Sequence, residues 1–418
     1  MMPPQDHIPS RYAILPYYAT AAVSFVLIGF LCLLSAQAFT DHYFQPKLLA
    51  ITHLAVLGWA TMVIFGASNQ LAPVISEQRL YSEKIPVAVF LLKLSGMAML
   101  VTSFWNFSFT WVAFAGGGLL LLSFLLHAYN LFATIKKADS NIINDFILTA
   151  HVWLILTAII GLMLLINLRF PFLPEDHLHY LKLHASIGMA GWFMQLVVGV
   201  SSRLVPMFLL SQKEEKKLLT ITFYAFNLSL ILFLMEGMVF KSTLGRPLYL
   251  LIFLIGITCY LRYIWQCHKT AMRKQTDQGM KQTFLALFLL SIPFLLLLFI
   301  LFAGNKIPVQ VFTAYGFAYF FGFISVIIMA QTFKTLPFIV WMHIQKPNQL
   351  PELMPKDLFN ERWVKWQMLL YLPGFLLFLA GILLQHVLLL YSGSVLMIVA
   401  AAFYCFHVFR MLLKLKTK

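Results

Sequence analysis

Three segments of this chain repeat one another at a nearly constant interval. Trp59, Trp192 and Phe323 mark the same point in the three copies, and the separation of the first two (192 − 59) is almost equal to that of the last two (323 − 192). A fixed period shared by three segments indicates one structural unit used three times. Each copy opens with glycine and an aromatic residue and carries a proline fourteen residues after the aromatic one: Gly58, Trp59 and Pro73; Gly191, Trp192 and Pro206; Gly322, Phe323 and Pro337.

The composition places the repeats in a membrane. Of the 418 residues, 61% are hydrophobic and only 11% are charged, whereas a soluble protein has roughly a quarter charged residues. A helix needs about 20 apolar residues to cross the bilayer core. Twelve such runs are present, at about 12–36, 48–75, 85–105, 109–135, 145–168, 180–210, 217–240, 247–267, 283–303, 308–340, 364–386 and 389–410.

The repeated segments fall in the second, sixth and tenth of these runs, which gives four helices per repeat. We therefore predict an all-α membrane protein with twelve transmembrane helices in three pseudo-threefold repeats. The repeats cover about 12–135, 145–267 and 283–410, within a single membrane domain spanning 1–418.

The net charge of +15 predicts the orientation. With both termini in the cytoplasm, most Lys and Arg residues lie on the cytoplasmic side, as the positive-inside rule requires. The first apolar run is long enough to span and no cleavable signal precedes it, so we expect a multi-pass protein of the inner membrane. Its basic face is expected to contact anionic lipids, and nothing points to nucleic acid. No CxxC pattern joins the cysteines, which argues against a c-type haem, a thiolate copper centre or disulfides: Cys32, Cys259, Cys267 and Cys405.

Two histidines are the strongest candidates for a cofactor site. His53 lies six residues before Trp59, and His184 lies eight residues before Trp192, so both are predicted at similar depth in the outer third of the membrane. An ionisable side chain inside a span is costly and indicates function by default. Neutral imidazole is a common ligand of iron and copper. The alternative is a histidine that hydrogen-bonds a facing carbonyl or hydroxyl.

The other polar residues indicate a function less specifically. His177 and His179 precede the sixth span beside Glu175 and Asp176; they are either solvated or part of a copper site or proton exit path. Lys93 is interpreted as reaching the headgroups, with a proton path as its alternative. The same headgroup interpretation applies to Arg203 and Lys334, and a structural one to His127, His151 and His407.

Two passages carry a family resemblance: HLAVLGWATMVIFGASNQLAPV from His53 to Val74, and HLHYLKLHASIGMAGWFMQLVVGVSSRLVPMF from His177 to Phe208. With the twelve spans, they resemble subunit I of the haem-copper oxidase superfamily, in particular the cbb-type oxidase and nitric oxide reductase subunits. The NnrS family, haem- and copper-containing membrane proteins tied to nitric oxide stress, is a second near neighbour.

The resemblance implies that His53 matches the second-helix ligand of the low-spin haem. His184 lies on the helix that supplies a copper ligand, but earlier along it than expected. The tenth span has no histidine before His343, although family members place haem ligands there. The usual dinuclear haem-copper centre therefore cannot be assembled.

We expect a b-type haem, or less favourably a copper ion, to bind between His53 and His184. The implied function is electron transfer or nitric oxide handling linked to respiratory stress, with oxidoreductase activity if the protein is an enzyme. The implied partners are membrane lipids, a cytochrome c or a quinol as electron donor, and an additional small subunit. The alternative is a scaffold without a redox centre that acts as a transporter, a metal-handling protein or an assembly factor.

Overall fold

The computed structural model describes residues 8–212, 214–240, 245–273, 276–303, 307–345 and 353–415. These residues form helices joined by loops. Among them, one isolated β-bridge pairs Ser211 with Ala271. Twelve of the helices described are long and apolar enough to cross a membrane, which confirms an all-α, multi-pass membrane protein. They are α1 (Arg11–Leu34), α2 (Pro46–Ser76), α3 (Lys84–Trp105), α4 (Trp111–Ile135), α5 (Ile142–Asn167), α6 (His177–Leu209), α7 (Lys216–Phe240), α8 (Arg246–Lys269), α9 (Gln278–Phe302), α10 (Val309–Ile344), α11 (Glu361–Leu383) and α12 (Val387–Leu413).

Polar caps set several helix starts that hydropathy alone cannot locate. Asn141 accepts a hydrogen bond from the Ile143 amide at the start of α5. Asp176 does the same for the Leu178 amide at the start of α6, at 2.7 Å. Such side chains satisfy amides that have no partner in the first turn. The sixth helix therefore begins at His177, three residues before the predicted start of its span.

The chain separates into two compact units. Among the described residues, the first unit comprises Leu71–Met99 and Phe109–Thr276, and the second comprises Ile8–Gln70, Leu100–Ser108 and the part from Asp277 onward. In the first unit, α5 packs against both α4 and α6, and α7 packs against α8. In the second unit, α1 packs against α2 and α12, α9 packs against α10, and α11 packs against α12.

The repeated glycines allow close helix packing. In the first unit, a Cβ atom added at Gly191 would lie 2.7 Å from Cγ of Trp153 on α5. In the second unit, a Cβ atom at Gly322 would lie 2.7 Å from Cζ of Phe375 on α11. Small residues let transmembrane helices approach closely where van der Waals packing holds them together. Aromatic side chains of α5 and α11 thus fill the space that these glycines leave.

Candidate functional site

Each of the three repeated segments contains a π-helical stretch. In such a stretch the backbone hydrogen bonds skip one residue more than in an α-helix, and short π turns are frequent at functional sites. The stretches interrupt α2, α6 and α10, and each contains the repeated glycine and aromatic residue: Leu54–Ala60, Ile187–Met194 and Ala318–Ile324. The three stretches lie at the same place relative to the aromatic residue of each segment, and a fourth one, Glu236–Phe240, ends α7.

His53 is the last residue before the π stretch of α2. Its Nδ1 atom is 2.7 Å from the backbone oxygen of Leu49, one turn earlier. The imidazole ring stacks on Phe104, with ring centroids 4.5 Å apart and an interplanar angle of 28°. The side chain is partly buried. Its ring is therefore held on one face by an aromatic side chain and at one nitrogen by the backbone.

His184 lies three residues before the π stretch of α6 and is held by α5. Its Nδ1 atom is 2.9 Å from the backbone oxygen of Thr157. The ring lies against Gly161, where an added Cβ atom would come within 2.7 Å of the imidazole Cε1 atom. The position of the ring thus depends on the missing side chain at Gly161. Sequence reasoning missed both Thr157 and Gly161, because no pattern in the chain relates them to His184.

His177 and His179 lie in the first turn of α6. Nε2 of His179 is 2.8 Å from the backbone oxygen of Gly237. Nδ1 of His177 is 3.4 Å from the side-chain nitrogen of Asn167. Both side chains are partly buried. They are thus part of the helix start, which differs from the solvated loop favoured by the sequence.

The two candidate ligands share one hydrogen-bonding arrangement. Within the described ranges, no group of three or more His, Cys, Asp and Glu side chains is arranged to hold a metal ion. Haem needs only one or two axial ligands from the protein. A histidine that binds a metal usually donates its other ring N–H to a carbonyl or carboxylate, which fixes the tautomer and the ring orientation. His53 and His184 both have a backbone carbonyl at Nδ1.

A second polar cluster lies deep in the first unit. Lys93 on α3, His127 on α4 and His151 on α5 are buried, with exposed fractions of 0%, 1% and 2%. The ring centroids of His127 and His151 are 5.3 Å apart, and α3, which carries Lys93, packs against α4 at Gly96 and Gly116. We call these three residues the polar triad. Trp192 contacts His151 edge-on, with ring centroids 5.0 Å apart.

The polar triad lies at one depth. Lys93 is nine residues from the Lys84 end of α3, His127 is eight from the Ile135 end of α4, and His151 is nine from the Ile142 end of α5. These three ends lie on one side of the membrane because successive spans alternate in direction. At 1.5 Å per residue, the triad is about 12–14 Å from those helix ends.

The burial of Lys93 corrects the expectation that it reaches the headgroups. A side chain that extends to the membrane surface is exposed near its end, whereas Lys93 is completely enclosed by protein. Lys334 also differs from that expectation, since it forms an ion pair with Asp277 at the start of α9. Arg203 is exposed, in keeping with a headgroup position. Hydropathy gives the depth of such residues but not the helix face on which they lie.

The second unit has an aromatic counterpart of this cluster. There, Trp59 stacks on Phe25 of α1, with centroids 4.3 Å apart, and contacts Tyr404 of α12 edge-on at 4.9 Å. The indole of Trp59 also donates to the hydroxyl of Ser325 at 3.1 Å. In each unit, the tryptophan of the repeated segment therefore meets a ring from the helix that precedes it. That ring is a phenyl group in the second unit and the imidazole of His151 in the first.

Comparison with known proteins gives no family for this chain. No protein-family model matches it, and no curated protein matches it.

Proposed function

We propose that this protein is a multi-pass haem protein of the inner membrane, built on three four-helix repeats like subunit I of the haem-copper oxidase superfamily. His53 and His184 are its candidate axial ligands. The observation that carries the proposal is their shared setting. Each imidazole has Nδ1 on a backbone carbonyl, and each precedes a π stretch by at most three residues.

The three π stretches support the repeat arrangement. They begin at Leu54, Ile187 and Ala318, so their starts are separated by the same two intervals that separate the aromatic anchors. A π stretch is a local departure that a random apolar helix rarely contains. Its recurrence at one place in three helices supports three copies of one unit.

The hydrogen bonds support ligation through Nε2. If Nδ1 carries the proton and donates it to the carbonyl of Leu49 or Thr157, the lone pair of the imidazole is on Nε2. The His53 ring stacks on Phe104 and the His184 ring packs against Gly161. These contacts fix the orientation of each ring and therefore the direction of its Nε2 lone pair. Haem bound through such a histidine would supply one-electron transfer, or gas binding where a coordination position stays open.

The resemblance adds the functional class. A redox protein of this kind would act in electron transfer or in nitric oxide handling, with a cytochrome c or a quinol as donor and with both termini in the cytoplasm. A copper ion is the weaker assignment, since the described residues offer no group of three donors. An additional small subunit follows from the resemblance alone.

The test is the absorption spectrum of the full chain purified from cells supplied with a haem precursor. A Soret band is expected, and His53→Ala and His184→Ala are each expected to lower haem content about tenfold or more, as loss of a ligand-orienting contact already does. His386→Ala is the matched control, because this exposed histidine lies at the start of α12. It should leave the spectrum unchanged.

Two results would contradict the proposal. One is a folded protein with neither haem nor copper, which would favour the scaffold alternative: a transporter, a metal-handling protein or an assembly factor. The other is full haem loading in both alanine variants, which would place the ligands elsewhere in the chain.

A further inference from the structure

We propose that the eighth helix binds one anionic phospholipid through an exposed basic stripe. The basic stripe consists of Arg262, Trp265 and Lys269. These residues are three and four positions apart on α8, so they lie on one face of the helix. All three side chains are exposed. The inference does not depend on haem, since it concerns a surface of the first unit that no candidate ligand shares.

Hydrogen bonds to α6 fix which face of α8 is exposed. The hydroxyl groups of Tyr260 and Ser201 are 2.6 Å apart, and the hydroxyl of Tyr263 donates to the backbone oxygen of Ser202 at 2.8 Å. Both tyrosines are buried. Successive residues of an α-helix are rotated by about 100°, which turns the members of the basic stripe by about 140–180° from Tyr260. The basic stripe therefore faces away from α6.

The depth of Arg262 calls for a negative partner. The midpoint of α8 lies between Ile257 and Thr258. At 1.5 Å per residue, Arg262 is about 7 Å from that midpoint, whereas the hydrocarbon core extends about 15 Å on either side of its centre. A charged side chain exposed at such a depth is costly unless it meets a counter-charge. In the described part of the chain no carboxylate pairs with this guanidinium, so we assign its counter-charge to a lipid headgroup.

The basic stripe has the chemistry to hold a phosphate group. The guanidinium of Arg262 can bind two phosphate oxygens at once. Nζ of Lys269 is 5.1 Å from the centroid of the Trp265 ring, so this ammonium group bends back along the helix toward Arg262. Trp265 lies between the two cations, and its ring is of the type enriched at headgroup level. Two cations with no carboxylate among them favour a headgroup of net negative charge over a zwitterionic one.

Apolar side chains continue the same face of α8 toward the middle of the membrane. Leu251 and Ile255 have exposed fractions of 55% and 49%, and Ile255 is seven residues before Arg262, hence on the same face. Thr258 is exposed between them, but its hydroxyl donates to the backbone oxygen of Leu254 at 2.8 Å. This part of the face therefore suits an acyl chain, while the basic stripe suits the headgroup of the same lipid.

Arg203 on α6 is the natural comparison for Arg262. It is exposed and lies six residues before the end of α6, much as Arg262 lies seven residues before the end of α8. The residues three, four and seven positions after Arg203 are Pro206, Met207 and Leu210. Arg203 thus has neither a second cation nor a tryptophan on its face. A preference for anionic lipid is therefore expected from Arg262 and not from Arg203.

The experiment measures lipid binding to the full chain in detergent by native mass spectrometry. Phosphatidylglycerol and phosphatidylcholine with the same acyl chains are compared. Phosphatidylglycerol is expected to bind about tenfold more tightly or better, because two cations act on its headgroup. Arg262→Gln and Lys269→Gln should each lower this preference about fivefold. Inorganic phosphate should not displace the lipid, since it has no acyl chains to pack along α8.

The matched control is Arg203→Gln, which removes an exposed arginine of similar depth and should keep the preference. Gel filtration and circular dichroism identify which variants fold, and either variant of the basic stripe suffices. Equal binding of the two lipids to the wild-type chain would overturn the proposal. So would an undiminished preference in a folded variant of the basic stripe, or an equal loss in Arg203→Gln. Displacement of the lipid by inorganic phosphate would also overturn it, by making the ligand a free anion.

Discussion

At the scale of single residues, the arrangement around His184 depends on the absence of a side chain at Gly161. The imidazole occupies the space that a side chain at position 161 would fill. A methyl group there cannot be accommodated without moving either the ring or α5. Glycine at this position therefore leaves room for the His184 imidazole, although the two residues are far apart in the sequence and lie on different helices.

Gly161→Ala is expected to destabilise the protein by about 1–3 kcal/mol, the usual cost of overpacking. It should also lower haem content, because the imidazole is displaced from the carbonyl of Thr157. Thermal unfolding in detergent and the Soret absorbance measure the two effects. Gly118→Ala is the control, since a Cβ atom there meets nothing within 4 Å. If both alanine variants behave alike, the packing of His184 on Gly161 has no influence.

The ion pair between Lys334 and Asp277 gives a second prediction at this scale. Both side chains are mostly buried, with exposed fractions of 10% and 16%. Lys334→Met leaves the carboxylate without its charged partner and is expected to cost about 1–3 kcal/mol. Lys281→Met, at an exposed position on α9, should change stability by less than about 0.5 kcal/mol.

Asp277 has a further role, because it accepts a hydrogen bond from the Met280 amide at the start of α9. Asp277→Asn should resemble Lys334→Met, since asparagine also caps helices well. Asp277→Ala should cost about 1 kcal/mol more. Equal unfolding temperatures for the asparagine and alanine variants would show that the cap contributes nothing.

At the scale of helices, the π stretches decide how the two ends of α2, α6 and α10 are rotated about the helix axis. One extra residue in a turn rotates the following side chains by about 100°, since an α-helix has 3.6 residues per turn. In α2 this rotation sets the angle about the helix axis between the side chains of His53 and Trp59. The ligand candidate and the anchor of the second unit are thus oriented by the same irregularity.

Deleting Ala60, the last residue of the π stretch in α2, should convert the stretch to α-helix and rotate His53 by about 100° relative to the following residues. Haem content is then expected to fall as in His53→Ala. The control is deletion of Phe320 from the π stretch of α10, because no histidine precedes that stretch on α10. Spectra of the two folded deletion variants are compared, and equal loss of haem in both would contradict the prediction.

Hydropathy predicted these helices well because the apolar run itself is the physical cause of membrane insertion. It could not predict the π stretches, since Gly58 and Trp59 are compatible with an ordinary helix. It also could not place Lys93, because one helix viewed alone does not reveal whether a side chain faces lipid, headgroups or protein. Depth and residue type made His53 and His184 candidates, whereas the contact of His184 with Thr157 depends on the packing of α5 against α6.

At the scale of the whole molecule, the charge distribution predicts the side of the membrane on which each loop lies. The cytoplasmic ends should be the basic ones. A fluorescent protein fused after Lys418 is therefore expected to fluoresce. Alkaline phosphatase fused after Gln385, between α11 and α12, should be active because it is exported. The opposite pair of activities would invert the proposed orientation.

The contact of α1 with α12 has a consequence for biogenesis. In the second unit α1 packs against α12, so this contact cannot form until α12 has been synthesised. The helices from α4 to α8 belong to the first unit and are made without interruption, which allows them to assemble while synthesis continues. Premature termination before α12 would leave the surface of α1 that packs against α12 uncovered and make the nascent product a substrate for membrane quality control.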